Sequence, residues 1–248
     1  MININLQSEY VISIFGFLIT NTFLTTIVAT IILSLLGIAF YKVCQQDKNS
    51  HILFKSWHIV IFEILRLSDT ITQDREISKK LLPLVATLFL FIFTTNLIAL
   101  LPGFLGSFFI ETSNGPVSLL RSPNSDLTTT VALACITVFS IQFFSLHTLG
   151  IKTYFKRFIN ISGFIPFTLG LFEAMSESMR ILSFSFRLFG NVFAGEVLLL
   201  VIAFLVPYIL PVPFMILEVF ISLIQAYIFC ILTLTFIRLS SNTLHARG

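Results

Sequence analysis

Charge is what this chain has least of. Asp, Glu, Lys and Arg make up 11% of its 248 residues, against about 25% in a soluble globular domain. With 56% of residues hydrophobic, aqueous globular and disordered classes are both excluded. Cysteine is scarce as well. Cys44, Cys135 and Cys230 are odd in number, far apart and set in or beside apolar runs. They make no metal-ligand spacing, give little ground for a disulfide framework and read better as small buried hydrophobes. No GxxxxGK[ST] phosphate loop occurs, so no phosphoryl chemistry is expected of the chain itself. A formal net charge of +3 without a basic tract argues against nucleic acid as a partner. The opening MININLQSEYVISIFGF lacks the basic start of a signal peptide, a small-residue cleavage site, and the Arg- and Ser-rich look of a transit peptide. The first span is therefore expected to be retained.

What is present is long, apolar and punctuated. The pattern predicts an all-α polytopic membrane protein in a single membrane domain, residues 1–248, with about five membrane-embedded helices at roughly 20 residues per span. The first span covers residues 11–41. Residues 51–80 include HILFKSWHIVIFEILRLSD, which interleaves apolar residues with Lys55, His58, Glu63, Arg66 and Asp69 and reads as an amphipathic helix on the membrane surface. Trp57 is its interfacial anchor. A second span covers residues 81–104 and stops at Pro102-Gly103. A Gly- and Pro-bearing external loop follows at 105–126, and a third span at 127–150. The apolar region 161–237 then reads as a long helical hairpin with its turn near 207–213, at Pro207, Pro211 and Pro213.

Basic residues are distributed unevenly. Twelve Lys or Arg fall on the side of the 42–80 tract, the Lys152–Arg157 loop and the C-terminus. The opposite side has only Arg121 against Glu9, Glu111 and Asp126. The positive-inside rule then puts the N-terminus outside and the C-terminus in the cytoplasm or an equivalent compartment.

The polar groups inside the last region are the informative ones. An arginine at the bilayer centre costs about 2.5–3.5 kcal/mol on insertion scales. Yet SFSFRLFGNVFAGE keeps Arg187, Asn191 and Glu196 in hydrocarbon. Positions 173, 177, 180, 184, 187 and 191 form one helical stripe. Within it Glu173, Glu177 and Arg180 can pair at i+3 and i+4 spacing; an internal ion cluster and a transport role are both open for them. Arg187 has no acid at those spacings and must find its counter-ion on the other hairpin arm, on another subunit, or in water. Glu196 is turned about 180° from it and lies about 13 Å further along a regular helix, so the two do not form a simple salt bridge. On the other arm Glu218, Ser222 and Gln225 share a face. A guanidinium that stays charged, beside carboxylates that exchange protons with water-filled clefts, is a device for passing protons while blocking a short circuit. The missing part is a mobile carboxylate.

These residues are also similar to a known family. FRLFGNVFAGE (Phe186–Glu196) followed by IQAYIF (Ile224–Phe229) resembles subunit a of the F-type rotary ATP synthases. ITNTF (Ile19–Phe23), NLIALLPG (Asn96–Gly103), SDLTTTVALA (Ser125–Ala134) and Phe164–Asn191 extend the likeness over nearly the whole chain. The resemblance implies that Arg187 faces the proton-carrying carboxylate of a rotating c-ring and separates two half-channels. It implies roles in proton translocation for Asn191, Glu196, Glu218, Gln225, Glu173 and Asp126. Glu218 stands where many bacterial members have a histidine. The last two helices are expected to be strongly tilted.

The expected function is that of a proton-translocating stator subunit, not catalytic alone and without cofactor or metal. Its expected partners are the c-ring, peripheral-stalk b subunits and membrane lipid, with one copy per complex in a bacterial plasma membrane or, alternatively, an organelle inner membrane or thylakoid. Blander readings stand beside the sharp ones. Asp126 is also a good helix N-cap, and Gly190 and Gly195 suit close helix packing. A self-contained transporter would show an inverted repeat and its own counter-ion for Arg187. An intramembrane hydrolase would need a histidine within 161–237, where none occurs.

Overall fold

Hydrocarbon offers no partner to a backbone amide, so a chain of this composition must close its N–H and C=O groups within helices. The computed structural model, which describes residues 10–14, 17–45, 52–104, 109–112, 115–118, 121–150, 164–206 and 209–242, does so. Its helices are α1 (Asn21–Gln45), α2 (Ile52–Thr72), α3 (Arg75–Phe104), α4 (Leu127–Leu149), α5 (Phe164–Leu205) and α6 (Pro211–Asn242). All but α2 are long and apolar enough to cross a membrane. The protein is an all-α polytopic membrane protein, with two short antiparallel hairpins between or before its spans. These are β1 (Tyr10–Ile14) with β2 (Phe17–Thr20), and β3 (Phe109–Thr112) with β4 (Gly115–Ser118).

The element boundaries differ from the sequence expectation at several points. The first span begins at Asn21, not residue 11, because YVISI and FLIT pair as strands. Their β-branched and aromatic residues favour that state. Thr20 Oγ1 then accepts from the Phe23 amide at 3.3 Å, a capping bond that starts α1 there. The 51–80 segment is two pieces. Gln73 takes a left-handed φ of 57°, and Asp74 Oδ1 accepts from the Glu76 amide at 2.9 Å. Residues 75–80 thus open α3 instead of closing α2. Arg238 on α6 ties this corner, donating to Ile71 O and to Gln73 Oε1, each at 2.6 Å. The loop expected at 105–126 holds β3, β4 and a 3₁₀ turn at Pro123–Ser125. The second hairpin arm continues past residue 237 to Asn242. Cys135 is exposed, not buried, whereas Cys230 is in the core. The Lys152–Arg157 loop and residues 207–208 of the hairpin turn lie outside the described residues.

The core is a seam where four helices meet α2. Leu81, Val85, Leu88 and Ile92 repeat at four- and three-residue steps on α3, which packs against α6, while Ala134, Val138 and Ile141 lie on α4, which packs against α5 and α6. Phe184 and Leu188 on α5 meet Ala226, Phe229, Cys230, Leu234 and Ile237 on α6. The Phe184 ring sits 4.7 Å from Phe229 and 5.8 Å from Phe236, centroid to centroid. In lipid such contacts act mainly through van der Waals packing, since the tails are as apolar as the side chains.

Length then constrains orientation. The apolar stretch of α5 runs for 41 residues, Ile165–Leu205, about 61 Å at 1.5 Å per residue. The hydrocarbon core is about 30 Å thick. The helix cannot stand upright in it, and α6, apolar over 30 residues, is also too long.

Gly150 closes α4 with φ 77° and ψ 151°, its amide bonded to Leu146 O at 3.0 Å. That backbone region is essentially restricted to glycine. Gly150→Ala is expected to destabilise the protein by about 1–3 kcal/mol, read as a lower thermal unfolding temperature in detergent. Gly37→Ala is the control. A β-carbon there meets nothing within 4 Å, so the melting temperature should hold or rise.

Candidate functional site

Two polar clusters lie along α5, one around Arg187 and one around Glu196. At the first, α5 presents a face at helical spacing that carries Ser176, Ser183, Arg187, Gly190, Asn191 and Ala194. Apart from the arginine these are small or short side chains, and all are exposed or half-buried. Arg187 Nη2 donates to Ser183 Oγ at 3.3 Å, one turn back. Asn191 Nδ2 donates to Gln225 Oε1 at 2.7 Å across the α5–α6 seam. This bond sets the hairpin register, placing Asn191 opposite the glutamine. Gln225 is 2% exposed, and its Nε2 is a buried donor without a partner among the described residues.

Arg187 differs from its neighbours in what answers its charge. Arg66 and Arg75 pair with Glu63 and Asp69. Arg180 pairs with Glu177 at 2.7 Å and lies 4.5 Å over the Phe236 ring. Glu177 and Arg180 thus form an ion pair held against the core. No carboxylate among the described residues lies within 4.0 Å of Arg187. The helical stripe read from the sequence divides accordingly. Glu177 and Phe184 face inward, while Asn191 faces out.

The second cluster closes one end of the bundle. Glu196 Oε2 accepts from Arg121 Nε at 3.2 Å, their side chains 28% and 15% exposed, and the same Nε reaches Ser125 Oγ at 3.1 Å. The turn that carries Arg121 is anchored to α3. Ser122 Oγ donates to Asn96 Oδ1 at 2.9 Å, and Asn124 Nδ2 donates to Asn96 Oδ1 at 2.8 Å and Thr95 Oγ1 at 2.9 Å. Ser122, Asn124, Ser125, Asn96 and Thr95 are all buried. A buried polar set of this density is held together because unmet groups are costly in a low-dielectric site, although Asn96 Nδ2 has no partner among the described residues. Glu218 approaches from α6. A β-carbon on Gly195 would overlap its carboxylate, so the absence of a side chain at 195 is what admits Glu218 beside Glu196. That is a specific reason for a glycine here, beyond general helix packing.

Asp126 caps α4, accepting from the Thr128 amide at 3.0 Å. Glu173 lies half-buried on α5, about 21 Å from Arg187 along the helix. The clusters therefore bring Asn191 to Gln225, one turn from Arg187, and Glu196 to Glu218, while Glu173 lies apart from both and Asp126 serves as the cap of α4. Arg121, Asn96, Ser122 and Asn124 were not singled out from the sequence. The available signal was that Arg121 is the lone cation on the acidic side of the chain.

With this geometry in place, the relatives can be set beside it. Residues 22–238 match the family profile described as ATP synthase A chain. The chain is 36% identical to the ATP synthase subunit a of Moorella thermoacetica over 159 residues, 64% of either chain and so a little under two thirds of that protein. It is 30% identical to the ATP synthase subunit a of Campylobacter fetus subsp. fetus over 211 residues, 85% of each chain. It is 31% identical to that of Legionella pneumophila strain Corby over 233 residues, 93% of this chain and 90% of the other.

The Asn191–Gln225 bond makes a quantitative prediction. A cycle of Asn191→Ala, Gln225→Ala and the double variant, read by thermal unfolding, should give a coupling of about 0.6 kcal/mol, the usual size for a hydrogen bond between membrane helices. Additive losses would show that the two side chains do not meet.

Proposed function

Because the chain belongs to the ATP synthase A chain family, we propose that it is the proton-translocating stator subunit of a rotary ATP synthase. One observation carries the reading. Arg187 has no carboxylate of its own among the described residues, and it stands on an accessible face of otherwise small side chains. Small residues let another helix approach closely. A guanidinium in hydrocarbon needs a counter-charge. A rotor helix bearing one carboxylate meets both requirements, and each passing c-ring subunit brings a fresh one.

The chemistry follows from which groups titrate. Arg187 stays charged under all working conditions. It attracts a rotor carboxylate that has lost its proton and repels a proton trying to pass directly. The cluster of Glu196, Glu218, Asn96 and Ser122 supplies exchangeable and hydrogen-bonding groups for one half-channel, opening to the outside. Protons load onto the ring there, travel with it, and leave to the inside beyond Arg187. Asn191 and Gln225 hold the seam beside the arginine, Glu173 lies toward the other end of α5, and Asp126 caps the helix next to the outer cluster. A proton crossing 100 mV releases about 2.3 kcal/mol, so several must be coupled to each ATP. The catalytic steps belong to other subunits.

In this reading the chain is present once per complex in a bacterial plasma membrane, N-terminus outside and C-terminus in the cytoplasm. It packs against the c-ring and the peripheral-stalk b subunits. The oblique path of α5 lets one helix follow the ring surface over several c helices.

Arg187→Ala in the assembled complex should abolish ATP-driven proton pumping while ATP hydrolysis by the soluble head persists. Coupled pumping at wild-type efficiency would overturn the role given to the arginine. Cysteines at Ser183 or Ala194 should crosslink to the ring, and no crosslink in any rotary position would count against the partner.

A further inference from the structure

Glu196 and Glu218 are equivalent in chemistry but not in surroundings. Glu196 is held by Arg121 at 3.2 Å. Glu218 has no hydrogen bond or ion pair among the described residues, lies against Gly195 and is within Coulombic reach of Glu196. The other groups around the pair do not alter that contrast. Asn96 on α3 is buried and neutral, as are Ser122 and Ser125 on the turn. Asp126 is turned onto the Thr128 amide, and Thr130 of α4 shares a hydrogen bond with Ser185. Arg187 lies nine residues before Glu196 on α5, and Gln225 seven residues after Glu218 on α6.

Two neighbouring carboxylates in a poorly solvated site do not both ionise readily, so the pair tends to hold one proton between them. Which oxygen keeps it depends on the nearest fixed charge. We propose that Arg121 is a positioning residue for ion translocation: it holds Glu196 as a carboxylate and leaves Glu218 as the proton-carrying member of the pair. The anchoring of its turn on Asn96 and Thr95 fixes where the guanidinium sits. A loop outside the bundle core thereby decides the direction of proton hand-off within it. This inference rests on the half-channel reading above.

The test uses the assembled complex in membrane vesicles and follows ATP-driven proton pumping against pH. The variants are Arg121→Gln, Arg121→Lys, Glu196→Gln and the double variant R121Q/E196Q. A carboxylate beside an arginine titrates about 1–3 pH units lower than one without it. Arg121→Gln should therefore move the pumping profile to higher pH by about one unit or more, because the pair now holds its proton more tightly. Arg121→Lys should restore most of the original profile. In the Glu196→Gln background, Arg121→Gln should add no further shift. An unshifted Arg121→Gln profile, or an equal shift with Glu196 present and absent, overturns the proposal.

Assembly is read in parallel. Failure of Arg121→Gln alone, with the double variant assembling, supports the pairing, since only the single variant leaves a carboxylate buried without its cation. Failure of both overturns it, because Arg121 would then serve something other than Glu196. Arg187→Ala in the same vesicles separates the two ideas. Lost coupling there with an unshifted Arg121→Gln profile sinks this inference alone. Retained coupling sinks the reading beneath it.

Discussion

A guanidinium in hydrocarbon must meet a negative charge, and at Arg187 the described chain supplies only the Ser183 hydroxyl. The arrangement around it depends on that deficit. Arg180 is satisfied by Glu177 and stacked on Phe236, Arg121 by Glu196, and Arg238 by a carbonyl and an amide oxygen of the α2–α3 corner. With their charges met internally, Arg180 and Arg238 act as parts of the scaffold. Arg187 is left without a carboxylate among the described residues, on a face whose small side chains leave room for another helix.

The scaffold keeps that face in place with few polar contacts. Phe184, one turn before Arg187, is buried against Phe229 and Phe236, and Leu188, the next residue after the arginine, is fully buried. These two apolar anchors fix the rotation of α5 about its axis. The Asn191–Gln225 bond fixes its translation against α6. The same register carries Glu218 to Gly195 some distance along the pair of helices, so the arginine site and the acidic site are set by one seam.

Much of this was legible in the primary structure. The low charge content and the long apolar runs specified membrane helices, because hydrocarbon tolerates little else. The special position of Arg187 followed from spacing alone, since i±3 and i±4 are the only neighbours a helix provides. Less was legible where local preference competed with hydropathy. Tyr10–Ile14 and Phe17–Thr20 belong to the apolar run expected to be a span, yet their β-branched and aromatic content pairs them as strands. Residues 75–80 are charged enough for a surface helix, yet Asp74 caps a new helix that carries them into the span.

The partners of Glu196 and Glu218 were hardly legible, Arg121 standing out only as the lone cation on the acidic side of the chain. Arg121 and Glu196 are 75 residues apart, and nothing in the periodicity of either segment refers to the other. Helix identity, amphipathic spacing and the lack of a local counter-ion are short-range properties, set by 3.6 residues per turn and by the energetics of hydrocarbon, so the sequence by itself determined them. Which carboxylate meets Arg121, which amide meets Gln225, and why Gly195 gives room to the Glu218 carboxylate depend on how two long helices and a buried turn come together. Only the tertiary structure decided those, because contacts between distant segments are selected by packing and leave no period in the chain.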